Sequence, residues 1–319
     1  MPELRQAIAD KFAADNSLEY RPSQVIVSNG AKHSCYNAIL ATCEPGDEVI
    51  IPSPYWVSYP DMVRLAGAEP VIVPTNERNG WKMTAAEFEN AMTPRTKMVI
   101  MNSPGNPSGS VYSARGIGSD RRGRGRGRHL HFVGRDLRKA GLRRRETRQH
   151  RVALETGLRS DDHGQRLQQI LRDDGLAARL HGRAGSDRQG GRFDPESQHL
   201  ESLLIRAKGA VAALKGDQQP LSDMHDEFDM RRNYMFDRIS KIANITAVKP
   251  QGAFYVLVNI SQLGLNSQNF SDRLLSKANV AVVPGAAFGD DRTIRLSYAT
   301  SIDVIKKGLD RFQDFCRTL

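Results

Sequence analysis

Cysteine is scarce in this chain: Cys35, Cys43 and Cys316 are odd in number, far apart and without metal-ligand spacing. That excludes a disulfide framework and a thiolate metal site, and it fits free thiols in a reducing cytosol. No apolar run approaches the length of a membrane span, and the opening residues Met1-Pro2-Glu3-Leu4-Arg5 lack a signal-peptide pattern. The expectation is a cytoplasmic protein with no bound metal and no membrane partner. Lysine is nearly missing from the middle, where Lys139 stands alone among 21 arginines between Arg115 and Ala207.

That middle stretch is what the sequence has in excess. It holds 22 Lys+Arg against 12 Asp+Glu and leaves 24 of each sign to the rest, so the net charge of +10 sits in one block. Arg121 to Arg128 alternates arginine with glycine, which resembles disordered RNA-binding segments. The run is brief and carries no aromatic residues, and a surplus confined to one segment says little about a folded surface. No nucleic-acid partner is expected. At 319 residues the chain is long enough for two domains, and its 39% hydrophobic content is low chiefly because of this block.

The flanks read as an α/β protein. Leu4, Ala7, Ile8, Ala9 and Phe12 approximate helical spacing, and Gln24-Val25-Ile26-Val27 reads as a short buried strand. Ser28-Asn29-Gly30-Ala31-Lys32 then leads into a helix over His33 to Ala41. Small residues at a helix N-terminus suit an anion, though glycine also serves merely to turn a chain. Glu48 to Ile51, Glu69 to Val73 and Lys97 to Met101 are further strands, with a helix within Pro52 to Ala68, and this alternation predicts a parallel sheet. Ligands gather at the carboxyl ends of such strands. Tyr55 and Trp56 follow one of those ends and could stack on a flat ligand or simply fill core. Asn102 to Gly109 follows another, and Asn106, between Gly105 and Pro107, could aim its amide into the crevice or belong to a plain chain reversal. Met224, Phe228, Met230, Tyr234 and Ile239 place a long helix over Leu221 to Ile242.

Gly30-Ala31-Lys32, Pro54 to Tyr59 and Asn102 to Gly109 together resemble the class I aminotransferases, pyridoxal-phosphate enzymes of fold type I, and most closely the bacterial aspartate aminotransferases. Lys249-Pro250-Gln251-Gly252-Ala253-Phe254-Tyr255, Val283 to Gly289 and Thr293 to Tyr298 resemble the same family's small domain. The resemblance implies a large domain with a mostly parallel sheet, plus a smaller α+β C-terminal domain. It implies that Gly30, Ala31 and Lys32 hold the phosphate of pyridoxal 5′-phosphate, that Trp56 stacks on its ring and that Asn106 donates to its phenolic oxygen. It implies too that Arg295 takes the substrate α-carboxylate, a role its planar fork suits; taken alone, Arg295 could be a salt-bridged surface residue, and its Ile294-Arg295-Leu296-Ser297 setting favours the functional role. The implied substrates are an amino acid and a 2-oxo acid. The implied assembly is a homodimer with shared active sites, which loss of an N-terminal arm and of central strands would weaken.

The family's lysine and its pyridine-pairing acid belong between the Asn102 to Gly109 loop and the small domain, and neither motif is present there. Lys139, between Arg138 and Ala140, fits neither string, and Lys32 belongs to the phosphate turn. Suitable codons for Arg166 to Arg183, read one base along, spell G-F-S-K-S-Y-A-M-T-G-W-R-L-G-Y-T-A, the family's lysine motif. The same shift turns Val133 to Gly141 into S-D-E-I-Y-E-K-L, Arg115 to Arg121 into E-E-L-E-A-I-A and Glu201 to Ala207 into N-P-C-S-F-A-Q. Four matches in one offset and in family order imply a frame slip near Ala114 that recovers near Lys208. The division expected is 1–114 for the N-terminal part of the large domain, 115–207 for an out-of-frame, non-native block, and 208–319 for connecting helix and small domain. Met1 is expected to be an internal start. The resulting reading is an aspartate-aminotransferase-like chain without its catalytic lysine. Prephenate or aromatic transfer, carbon–sulfur lysis, RNA binding through the Arg-Gly run and a non-functional fragment stand as alternatives.

Overall fold

The computed structural model describes residues 1–112, 131–133 and 207–319. Nearly all of the Arg-rich block therefore lies outside the described residues, and so do the expectations placed on Lys139 and on 166–183. The chain divides into two compact units. Of the described residues, 1–34 and 207–223 belong to the first, and 35–112, 131–133 and 224–319 to the second.

In the first unit, helix α1 (Pro2–Asn16) starts with a proline, which has no N–H to leave unpaired, and carries Glu3 in its first turn, where the helix dipole favours an acid. It ends at Ser17, whose left-handed backbone returns its N–H to Ala13 O at 3.0 Å. The expected strand at Gln24 to Val27 is not there. Pro22–Gln24 form a 3₁₀ turn, and the chain runs on unpaired, with Ile26 83% exposed. A strand exists only by pairing, and no described strand lies alongside this one. Helix α2 (Ala31–Thr42) follows and continues into the second unit.

The second unit contains the parallel sheet that the alternation predicted. Strands β1 (Glu48–Ser53), β2 (Glu69–Pro74), β3 (Thr96–Ile100) and β4 (His131–Val133) lie in the order β2-β1-β3-β4, all parallel. Helices α3 (Ser58–Leu65) and α4 (Ala85–Ala91) make the crossovers. Alternation along the strands sends Val49, Ile51, Met98 and Ile100 to one face, where they pack with Cys35 and Ile39 of α2 and with Met62 and Val63 of α3. Ile50 and Val99 go to the other face with Met83 and Phe88. Coverage on both faces explains why these strands read as continuous apolar runs.

Glu48 opens β1 as a buried carboxylate. Thr93 Oγ1 donates to one of its oxygens and Arg95 Nε to the other at 2.9 Å. The Thr93 hydrogen bond foremost, aided by Arg95 and opposed by burial, holds the Glu48 pKa below its ordinary value of 4.5. A folded pKa below the unfolded one contributes stability that is present above the unfolded value and lost as pH falls through the folded one. Glu48→Gln is therefore expected to flatten the acid limb of stability below about pH 4.5, in melts run across pH.

The C-terminal part of this unit begins in helix α5 (Gln219–Ile239), whose first residues belong to the first unit. Strands β5 (Thr246–Ala247), β6 (Tyr255–Asn259), β7 (Val283–Pro284) and β8 (Thr293–Ser297) form an antiparallel sheet in the order β5-β6-β8-β7. Helices α6 (Ser267–Ala278) and α7 (Ile302–Cys316) cover it. Ile305, Leu309 and Phe312 recur at helical spacing and meet Phe270, Leu274, Val256 and Ile294 in one core, the expected α+β arrangement. Asn266 and Ser301 cap the two helices, accepting from Asn269 N at 2.8 Å and Val304 N at 3.4 Å.

Candidate functional site

Because β1 and β3 are parallel, the turns that follow them emerge at one edge of the sheet. A narrow cleft opens between these turns, lined by Ile51, Pro54, Tyr55, Trp81, Asn102 and Asn106 among others. The loop after β3 is held from within. Gly105 N donates to Ser110 O and Gly109 N to Gly105 O, each at 2.8 Å. Turned to match its neighbours, the Asn102 amide accepts from Asn106 N at 3.0 Å and donates to Pro104 O at 3.2 Å. These bonds fix Asn106 at the mouth of the cleft.

The same loop receives the turn before β6. Gln251 N and Gly252 N both donate to Gly109 O, at 2.8 and 3.0 Å. Gly109 has φ +67°, and a Cβ there would lie 2.5 Å from Pro250 Cβ and 2.8 Å from Gly252 O. Only glycine meets both conditions. Gly109→Ala is expected to cost at least about 2 kcal/mol by chemical denaturation, from backbone strain and from loosening the docked turn.

Docking of the two turns brings together residues 189 positions apart: Arg295 Nη1 donates to Asn106 Oδ1 at 2.9 Å. Arg295 stands in the middle of β8, opposite Leu257. Its guanidinium carbon lies 4.2 Å from the centre of the Tyr255 ring and 4.9 Å from that of Phe288. It is half-buried, and among the described residues it forms no ion pair and its Nε has no acceptor. Burial draws the Arg295 pKa below its ordinary value. Burial also raises that of Tyr255, against the pull of the neighbouring cation. A cation so placed can take an anion, and among the described residues the surface ion pair considered from sequence does not form.

Trp56 meets Tyr59 edge-on at 5.2 Å and packs on the core beneath β1. Its neighbour Tyr55 is tied to the C-terminal sheet, since Tyr55 N donates to Phe288 O at 3.0 Å and Ser53 Oγ to Gly289 O at 2.9 Å. Gly30, with φ +84°, and Ala31 and Lys32, at the first turn of α2, belong to the first unit. Gly30 O accepts from Ser34 N at 3.3 Å, so the turn is shaped as a helix start.

Trp81 and Ser110 carry no functional signal in the sequence. Both are 5% exposed and line the cleft, and neither the indole N–H nor the hydroxyl has a partner among the described residues. The segment around Trp81 reads only as a turn, and nothing in it signals burial. The sequence equally gives Tyr255 and Phe288 no role.

Within the second unit, an aromatic turn and the Asn106 amide, whose nitrogen is left to donate while its oxygen accepts from Arg295, are groups of the kind that hold a flat cofactor such as pyridoxal phosphate. Among the described residues lining the cleft there is neither a lysine nor a carboxylate. The holding groups fit the cofactor, and the groups that react with it or pair its ring nitrogen are missing from that set.

A family model described as aminotransferase class I and II matches residues 1–117 and 205–312. An aspartate aminotransferase of Bacillus sp. strain YM-2 is 34% identical over an alignment 341 positions long, gaps included, which covers 99% of this chain and 82% of that protein. An aspartate/prephenate aminotransferase of Cereibacter sphaeroides is 35% identical, with coverage of 100% and 82%. Among solved structures, the aspartate aminotransferase from Thermus thermophilus with maleate superposes with a TM-score of 0.72 and 31% identity over 100% of this chain and 82% of that one.

Proposed function

The chain belongs to the class I and II aminotransferases, pyridoxal-5′-phosphate enzymes of fold type I, and we propose that its reaction by descent is amino transfer between aspartate and a 2-oxo acid such as 2-oxoglutarate. The observation that carries this is Arg295, a half-buried cation held by Asn106 and two rings, with no carboxylate of the described chain upon it. Its remaining donors receive the α-carboxylate of the substrate. In the second unit Asn106 and Trp56 would hold the cofactor's ring; in the first, the start of α2 at Gly30, Ala31 and Lys32 would offer helix N-terminal donors suited to a phosphate. When bound, the cofactor supplies the electron sink that amino transfer needs. Prephenate is the second acceptor to test, since the Cereibacter relative is named for it.

As written, the chain supplies no lysine for a covalent bond to the cofactor and no acid for the ring nitrogen. Both belong to the stretch where the family match breaks off, between residues 117 and 205, which supports the frame slip inferred at 115–207 from the strings that a one-base shift recovers. The division into 1–114, 115–207 and 208–319 follows from that slip, and a homodimer is the assembly of the frame-corrected protein. Resequencing independent clones tests the slip, and an unbroken frame encoding Arg121 to Arg128 would sink it. For the protein itself, incubation with pyridoxal phosphate followed by borohydride reduction traps any imine. No pyridoxyl group is expected to survive denaturation, and covalent retention at a lysine would refute the reading.

A further inference from the structure

Among the described residues Arg295 has no counter-ion, and the means by which it is held has a consequence for its ligand. A half-buried guanidinium ordinarily recruits a carboxylate of its own chain, which occupies the fork and closes it to ligands. Here the fork makes one bond, to Asn106 Oδ1 at 2.9 Å, while ring faces at 4.2 and 4.9 Å supply negative potential without consuming an N–H. Each ring is itself anchored. Tyr255 stands at the start of β6 with Phe254 4.2 Å away, and Phe288 O accepts from Tyr55 N at 3.0 Å. The turn carrying Phe288 fits because Gly289 has no side chain: a Cβ there would come 2.7 Å from the Tyr55 ring.

We propose that Tyr255 and Phe288 are positioning residues that stand in for a counter-ion, keeping Arg295 charged, oriented and open to a substrate carboxylate. The inference rests on the assignment of Arg295 as the carboxylate site. The test is calorimetric titration of the purified full chain with succinate, a dicarboxylate with no amino group to react. Phe288→Leu and Tyr255→Leu keep an apolar side chain and remove the ring face. Each is expected to weaken succinate by about five- to tenfold, and Phe288→Tyr and Tyr255→Phe to restore wild-type affinity. A role in packing alone does not produce that pattern, because it would show in the melting midpoint and leave the affinity of folded protein unmoved. Should one leucine variant fail to fold, the other decides by itself. Unchanged affinity in the folded leucine variants, with Arg295→Ala still abolishing binding, overturns the positioning role and leaves the carboxylate site standing. No succinate binding by the wild-type chain, or binding that Arg295→Ala leaves intact, removes both.

Discussion

Amino transfer from aspartate to 2-oxoglutarate is expected to stay at background in this chain with saturating pyridoxal phosphate, and to rise by at least about four orders of magnitude when the one-base shift across 115–207 is corrected. The size follows from what the shift returns. The motif recovered from Arg166 to Arg183 brings the lysine that bonds the cofactor and moves the substrate proton, and the string from Val133 to Gly141 brings an acid for the ring nitrogen. Groups that act as a unit lose nearly everything when one is absent, so restoring either string alone should recover little. The measurement is a coupled assay of oxaloacetate formation on both proteins. Turnover by the uncorrected chain that vanishes when cofactor is removed would overturn the reading. So would a corrected chain that folds, binds succinate and remains inert.

How much of this was legible beforehand depended on whether an element carries its own reason for existing. Strands β1 and β3 are covered on both faces, so their sequences are apolar whatever their neighbours do, and Glu48 to Ile51 and Lys97 to Met101 announce themselves. Gln24 to Val27 is equally apolar and failed, because pairing comes from another segment and no described strand provides it. The α5 stripe of Phe228, Tyr234 and Ile239 was a property of one helix, whereas the Asn106–Arg295 bond spans 189 positions, and the resemblance named both residues without their bond. Tyr255 and Phe288 lay within quoted strings without a role, since their approach to Arg295 depends on how β6 pairs with β8 and how the 285–289 turn returns to Tyr55. Trp81 gave no signal at all. A tryptophan with φ +58° buried against a cleft is a tertiary outcome, not a local preference.

Arg295 carries the other large effect. Replacement by alanine removes two charge-assisted hydrogen bonds to a bound carboxylate and leaves Asn106 Oδ1 without the donor it has now. Charge-assisted bonds of this kind contribute about 1.5–3 kcal/mol each, so succinate affinity is expected to fall at least a hundredfold, roughly 3 kcal/mol. Arg295→Lys separates charge from shape. An ammonium keeps the positive charge and can reach one oxygen, but it lacks the planar fork and its second parallel bond, so a loss of about tenfold is expected. The fold should tolerate both changes, because among the described residues Arg295 forms no ion pair and the C-terminal core is built from residues such as Phe270, Ile294 and Phe312. Melting midpoints therefore serve as the control for the titrations. If alanine weakens succinate less than threefold while the protein stays folded, the carboxylate sits elsewhere and the site centred on Asn106 and Arg295 fails. If lysine matches arginine, charge alone suffices and the fork geometry has no part in recognition.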